Sequence, residues 1–241
     1  MAMSSWTKLN PTVNFFQTNK LFYNKFLYKV KIYCPGARLL DSKNVVALKQ
    51  KLFIRLNMPD VSYNYGGSWW LTAQRENLKT HARLEQLIEI FTIKHSCKDI
   101  KIRIEEPYVS LYSNDEQQLL DISNTNWSDR INEVHRPTND VAISFLMNGE
   151  IIVNKNEKYA YKVFAKRMFF DDIPLKHSLL DHLYNYESEV RLPQSLIQNL
   201  NSHRSFFPGG YFYINDLKIA TFIGIMCPEF VYKIFKLTKL D

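Results

Sequence analysis

Residues 26–34 read FLYKVKIYC, and residues 159–170 read YAYKVFAKRMFF. Both alternate apolar with basic side chains, the period of a strand with one face toward a core and the other toward water. In the first, Lys29 and Lys31 are expected outward, between Val30, Ile32 and Cys34. The second reads as one long strand. One of its faces carries Lys162, Phe164, Lys166 and Met168; the other carries Tyr161, Val163, Ala165, Arg167 and Phe169. Tyr28-Lys29-Val30 and Tyr161-Lys162-Val163 thus open equivalent strands, and the rest of each half follows in matching order. An acidic turn comes next, at Leu40-Asp41 and at Phe170-Asp171, and then an amphipathic helix. A glycine pair and an aromatic strand follow, GGSWWLT from Gly66 and GGYFYIN from Gly209. Each half then has a long helix opening on Leu78-Lys79 or Leu217-Lys218.

This order predicts an α+β chain of two related halves. Each half is a small, mostly antiparallel sheet covered by helices, a ferredoxin-like or similar sandwich. Residues 1–20, polar and Asn-rich, read as an irregular N-terminal arm; residues 21–112 form the first half. Residues 113–139, SNDEQQLLDISNTNWSDRINEVHRPTN, read as a polar linker, and residues 140–241 as the second half. Val141–Met147 and Glu150–Val153 flank Asn148-Gly149 and read as a hairpin. Residues 217–237 read as largely helical, with a break or kink at Pro228.

Composition excludes several classes. The 241 residues are 46% hydrophobic and 23% charged, which rules out disorder as the main state. No apolar run reaches the roughly 18 residues that span a bilayer. The N-terminus lacks the charged and apolar regions of a signal peptide. A cytoplasmic protein without a membrane partner is expected. Of 7 glycines, four sit in the two pairs, so neither a dinucleotide fingerprint nor a P-loop can be drawn. Cys34, Cys97 and Cys227 are odd in number and contain no C-x-x-C; they read as thiols in a reducing compartment.

Catalytic patterns are poor. The 6 histidines include no H-x-H and no H-E-x-x-H, so neither metal nor cofactor is expected. Tyr159-Ala160-Tyr161-Lys162 fits a Y-x-x-K nuclease pattern without the histidine pair that should accompany it. No helix matches the interface motif of LAGLIDADG homing endonucleases. Asp171-Asp172 with Glu187 and Glu189 read as a helix N-terminal turn and a solvated loop.

The formal net charge is +7, which favours a polyanionic partner. With 16 Phe, 14 Tyr and 4 Trp, aromatic rings stand beside many of the cations. Rings on an open sheet face stack bases while Arg and Lys hold phosphates. The expectation is a nucleic-acid-binding protein without catalytic activity. The Phe, Tyr, Asn, Lys and Ile bias of AT-rich codons extends it to a virus or phage. Its binding residues are expected to be Lys29, Lys31, Trp69, Arg75, Lys162, Lys166, Arg167, Arg204, Tyr211 and Tyr213. The alternative is a structural or assembly subunit of a virion or complex, meeting a protein partner or a second copy through its aromatics. A divergent metal-dependent nuclease is the enzymatic fallback.

Overall fold

The computed structural model of the chain describes residues 5–57, 84–124 and 127–240. The chain divides into two compact units, Met1–Thr138 and Asn139–Asp241. The first unit runs α1 (Ser5–Leu9), β1 (Asn14–Gln17), β2 (Tyr28–Tyr33), a 3-10 turn (Ala37–Asp41), α2 (Val45–Asn57) and α3 (Leu84–Ser96). It continues with β3 (Lys101–Glu105), β4 (Tyr108–Ser113), α4 (Glu116–Ser123) and β5 (Ile131–Arg136). Its sheet has the order β1-β5-β2-β4-β3. β1 lies parallel to β5, and every other pair is antiparallel.

The second unit runs α5 (Asp140–Met147), β6 (Ile151–Val153), β7 (Tyr161–Ala165), β8 (Met168–Phe169), α6 (Ile173–Tyr184) and β9 (Val190–Arg191). Then come α7 (Gln194–Asn201), β10 (Phe206–Phe207), β11 (Gly210–Ile214), α8 (Leu217–Met226) and β12 (Val231–Lys239). The main sheet has the order β6-β12-β7-β11-β9, and β6 lies parallel to β12. With the β8–β10 ribbon set aside, the two sheets match strand for strand. Remove the leading strand from each and both sheets have the order 4-1-3-2. The β-α-β-β-α-β plan carries two helices, α2 and α3, in the first crossover of the first unit and an added helix, α7, between β9 and β11 of the second. Each unit is therefore a ferredoxin-like α+β sandwich extended by one strand.

Each sheet buries one face. In the first unit, Val30, Ile32, Val109, Leu111 and Val134 pack with Leu48 and Leu52 of α2 and Leu87, Ile90 and Phe91 of α3. Two buried indoles keep polar partners: Trp6 Nε1 donates to Glu116 at 2.9 Å and Trp127 Nε1 to Glu89 at 3.1 Å. In the second unit, Val163, Phe212, Ile214 and Val190 meet Leu179, Leu180 and Leu183 of α6 and Ile219 and Ile223 of α8. Helix starts are capped by Asp115, Asn139, Asp172 and Asp216, whose side chains accept backbone N–H groups of the first turn.

Several expectations are corrected. The N-terminal arm carries α1 and β1, and the expected linker holds α4 and β5. β5 lies inside its sheet, between β1 and β2. Its pattern is hidden by a register shift opposite Lys31 and Ile32, which spaces the buried Ile131 and Val134 by three residues instead of two. The expected hairpin at Asn148-Gly149 is a helix followed by a turn. Asn139 caps α5 by accepting from Ala142 N at 2.8 Å, and Gly149 turns the chain with φ 78°. A short apolar run does not reveal its own period. Residues 217–237 are not one helix either: α8 stops at Met226, and β12 follows Pro228. Lysines at 233, 236 and 239 imitate a helical spacing, while burial along β12 alternates as in a strand.

The internal match is also re-paired. β2 and β7 correspond as expected, but the single strand read over 159–170 stops at Ala165 and resumes as β8, with Met168 packed on the core and Phe169 exposed, the reverse of the expected faces. The counterpart of β11, however, is β4, and that of α8 is α4. Gly66-Gly67, the strand at 68–73 and the start of the helix at Leu78 lie outside the described residues; α3 begins at Leu84.

Candidate nucleic-acid interface

The face of each sheet opposite its helix-packed core repeats one cross-strand row, in which Tyr112 and Phe235 are themselves buried. In the first unit Lys29 lies opposite Tyr112 on one side and His135 on the other, and Tyr112 lies opposite Lys101. In the second, Lys162 lies opposite Tyr213 and Phe235, and Tyr213 lies opposite Arg191. Residues directly opposite on an antiparallel pair share a face and touch. The fold thus presents a lysine, a tyrosine and a second cation side by side, twice.

In the second unit this row is part of a ring-and-cation face. Phe164 and Tyr211, themselves opposite each other, form the next row, with Lys233 beyond Phe164. The Lys162 ammonium lies 3.9 Å from the centre of the Tyr211 ring, 5.2 Å from Phe164 and 5.3 Å from Tyr213. Arg191 stacks over Tyr213 at 3.9 Å and over Tyr159 at 4.9 Å. Glu157 fixes Arg191 by an ion pair of 2.9 Å. Burial alone would raise the Glu157 carboxyl. Hydrogen bonds from Arg191 and from the backbone of Tyr159 and Lys158 outweigh that and hold it below its ordinary value. Tyr211 remains 39% exposed.

The first unit covers the same place with its own chain. Phe22 and Phe26 pair across a tight turn in which Tyr23 and Asn24 adopt φ 54° and 56°. Phe22 lies 5.3 Å from Tyr112, and Tyr23 meets it edge-on at 5.0 Å. Lys101 sits over Tyr23 at 4.0 Å. Tyr112 is left 3% exposed, and burial pushes its hydroxyl up to about 12. Lys31 and Lys29 converge on Glu133, at 2.9 and 3.8 Å, and His135 lies 3.3 Å from the same carboxylate. Burial would raise Glu133, but the hydrogen bonds from Lys31 and His135 and the charges of Lys31 and Lys29 lower it. Burial itself lowers His135.

The expected site residues therefore separate. Lys162, Tyr211 and Tyr213 are brought together. Lys29 and Lys31 are half-buried and committed to Glu133. Lys166 is exposed and pairs with Glu229 at 2.7 Å. Arg167 lies 4.9 Å over the Phe206 ring, and Arg204 is exposed in the turn before β10. Trp69 and Arg75 lie outside the described residues. Sequence reasoning missed Arg191, because β9 is two residues long and shows no period. Tyr159 and Phe235 were also missed.

The glycine pair at the start of β11 serves the chain itself. Gly209 has φ 83°, and a Cβ there would lie 3.1 Å from the Ala165 carbonyl oxygen. At Gly210 a Cβ would meet Leu196 of α7 at 2.9 Å. The room a ligand would need is already filled by the protein.

Charge is divided unequally. Residues 1–138 hold 19 Lys and Arg against 13 Asp and Glu, a net +6; residues 139–241 hold 12 against 11, a net +1. The second face is therefore built from local pairing of cation and ring, not from a general excess of charge. No group of His, Cys, Asp and Glu able to hold a metal occurs among the described residues. No helix among them is long and apolar enough to cross a membrane. No protein-family model, curated protein or solved structure matches this chain.

Proposed function

We propose that this protein binds nucleic acid through the face of the second sheet opposite its helix-packed core. The observation that carries this reading is the Lys162–Tyr213–Arg191 row, with Tyr211 and Phe164 beside it on the two central strands β7 and β11. Flat sheets of this kind stack bases on central-strand aromatics while neighbouring cations hold the backbone. The comparison is one of arrangement, and the residues themselves supply the chemistry. Arg167, 4.9 Å over the Phe206 ring, and Arg204, in the turn before β10, add two exposed guanidinium groups to the same unit. The first unit, with the larger charge excess, supplies long-range attraction.

Fluorescence anisotropy with labelled DNA and RNA, single- and double-stranded, at two salt concentrations tests it. Affinity should fall steeply with salt, and Lys162→Ala should weaken it and reduce the salt slope. Absence of binding at low salt overturns the reading.

A second reading, an assembly subunit, is favoured by the exposed Phe222 and Ile225 of α8 and Tyr232 of β12. Sedimentation at low concentration separates the two: stable oligomers without polyanion affinity support assembly.

A further inference from the structure

We propose that the ring pair Phe169–Phe206 is a base-stacking site that gives this protein a preference for single-stranded nucleic acid. The inference rests on the sheet-face reading above and adds to it a site and a ligand form.

β8 and β10 continue the β7–β11 ladder. Gly210 lies opposite Ala165, Phe207 opposite Met168 and Phe206 opposite Phe169, so the register is kept across the gap. The gap has local causes. Lys166 N–H turns away to the Phe230 carbonyl at 2.7 Å, and Pro208 has no N–H to offer. Beyond it Met168 and Phe207 face the core, where Phe207 packs with Phe170 and Phe230. Phe169 and Phe206 therefore point away from the core, their ring centres 5.2 Å apart.

Phe169 is 68% exposed. A phenylalanine left in water on a two-stranded ribbon forgoes the stabilisation its burial would bring. The surroundings favour an anionic, ring-bearing occupant. Arg167 stands over Phe206 at 4.9 Å, and His203 and Arg204 are exposed in the turn leading into β10. The nearby acids are already engaged: Glu229 holds Lys166, and Asp172 caps α6 by accepting from Leu175 N. Asp171 is the one exposed acid next to the ribbon among the described residues without such a contact.

The β8–β10 ribbon is a two-stranded sheet of its own, so its ring pair is a stacking place distinct from the Lys162 row. A ring pair beside a guanidinium suits an unstacked base. A duplex keeps its base faces stacked inside and cannot use them.

The test is anisotropy with one labelled oligonucleotide, alone and annealed to its complement, against the full chain and three variants. Phe169→Ala should weaken single-strand binding about tenfold and leave duplex binding within twofold. Phe169→Trp should keep the parent affinity. Phe169→Leu, which keeps apolar area without a ring, should behave as the alanine variant. Equal weakening for both ligand forms, or rescue by leucine, overturns the stacking site while the sheet-face reading stands. Unchanged oligonucleotide affinity in Phe169→Ala together with altered self-association assigns the pair to a protein contact and also overturns it. If the parent chain binds no oligonucleotide at low salt, both readings fall together. Far-ultraviolet circular dichroism and thermal melting check that the variants fold.

Discussion

Lys29 and Lys162 hold the same place in two sheets. Each stands opposite a tyrosine on one side, Tyr112 or Tyr213, and an aromatic ring on the other, His135 or Phe235. The places are equivalent but their surroundings are not. Phe22 and Tyr23 close over the first tyrosine, whereas Tyr213 meets only Arg191, Tyr159, Lys162 and Tyr211 among the described contacts. One architecture thus yields a tyrosine 3% exposed in the first unit and, in the second, a half-buried row with Phe235 buried at one end and Tyr211, 39% exposed, beside it.

The two tyrosines should respond oppositely to truncation. Tyr112→Ala removes a ring buried among Phe22, Tyr23 and Phe26 and should cost roughly 3 kcal/mol of stability. Tyr213→Ala should cost less than ~1 kcal/mol but weaken oligonucleotide binding. Urea unfolding and anisotropy on both variants check this; a stability loss at Tyr213 equal to that at Tyr112 would falsify the contrast.

Stability should decline in two stages as pH falls. The folded-state value of His135 is lowered below its ordinary 6.5, so the unfolded chain takes up this proton first. Stability is then lost as pH drops from about 6.5 toward the folded value. Glu133 is held below its ordinary 4.5, so its contribution is present above that pH and is lost as pH falls through the folded value. His135→Phe, which installs the ring found at the equivalent Phe235, should abolish the first stage and keep the second. Glu133→Gln should reduce the second, to which Glu157, also held below its ordinary value, contributes as well. Melting temperature against pH reads both.

Lys176 is fully buried on α6 without a carboxylate partner. Its ammonium donates to the Ser202 carbonyl at 2.5 Å, to Ser202 Oγ at 2.9 Å and to the Arg204 carbonyl at 2.9 Å. All three protons are used, at the C-terminal end of α7, where the helix dipole favours a cation. Burial lowers its pKa. Lys176→Met should destabilise the chain by about 1–3 kcal/mol through the acceptors left bare. It should also loosen the turn carrying His203 and Arg204, seen as faster amide exchange there. Unchanged unfolding free energy would dismiss the role.

Gly209 and Gly149 separate backbone strain from crowding. Both have positive φ, but only Gly209 faces a close neighbour, the Ala165 carbonyl. Gly209→Ala should cost about 2–3 kcal/mol and Gly149→Ala about 1 kcal/mol. Equal losses by chemical denaturation would show that crowding at Gly209 is relieved by movement.

Alternation between lysines and apolar residues was enough to find β2 and β7 and the equivalence of Lys29 with Lys162. Asp172 followed by Pro174 marked the start of α6. The elements that misled did so for local reasons. β5 hides its period behind a register shift, α5 is too short to show one, and β12 spaces its lysines as a helix would. Lys162, Tyr211 and Tyr213 were legible as candidates because each sits on a strand with clear alternation. Arg191 was not, because its place beside Tyr213 depends on where a two-residue strand docks.

Sequence alone determined the class of the chain, its duplicated strand motif and the residue types that alternate across each sheet, because side-chain period and turn chemistry act over a few residues. Tertiary structure decided which strands are neighbours, since hydrogen-bonded pairing joins residues as distant as Phe16 and His135. It also decided which cations are spent. Lys31 meets Glu133 across a strand pair, while Lys162 lies over the rings of Tyr211 and Tyr213, and no local pattern tells these two lysines apart.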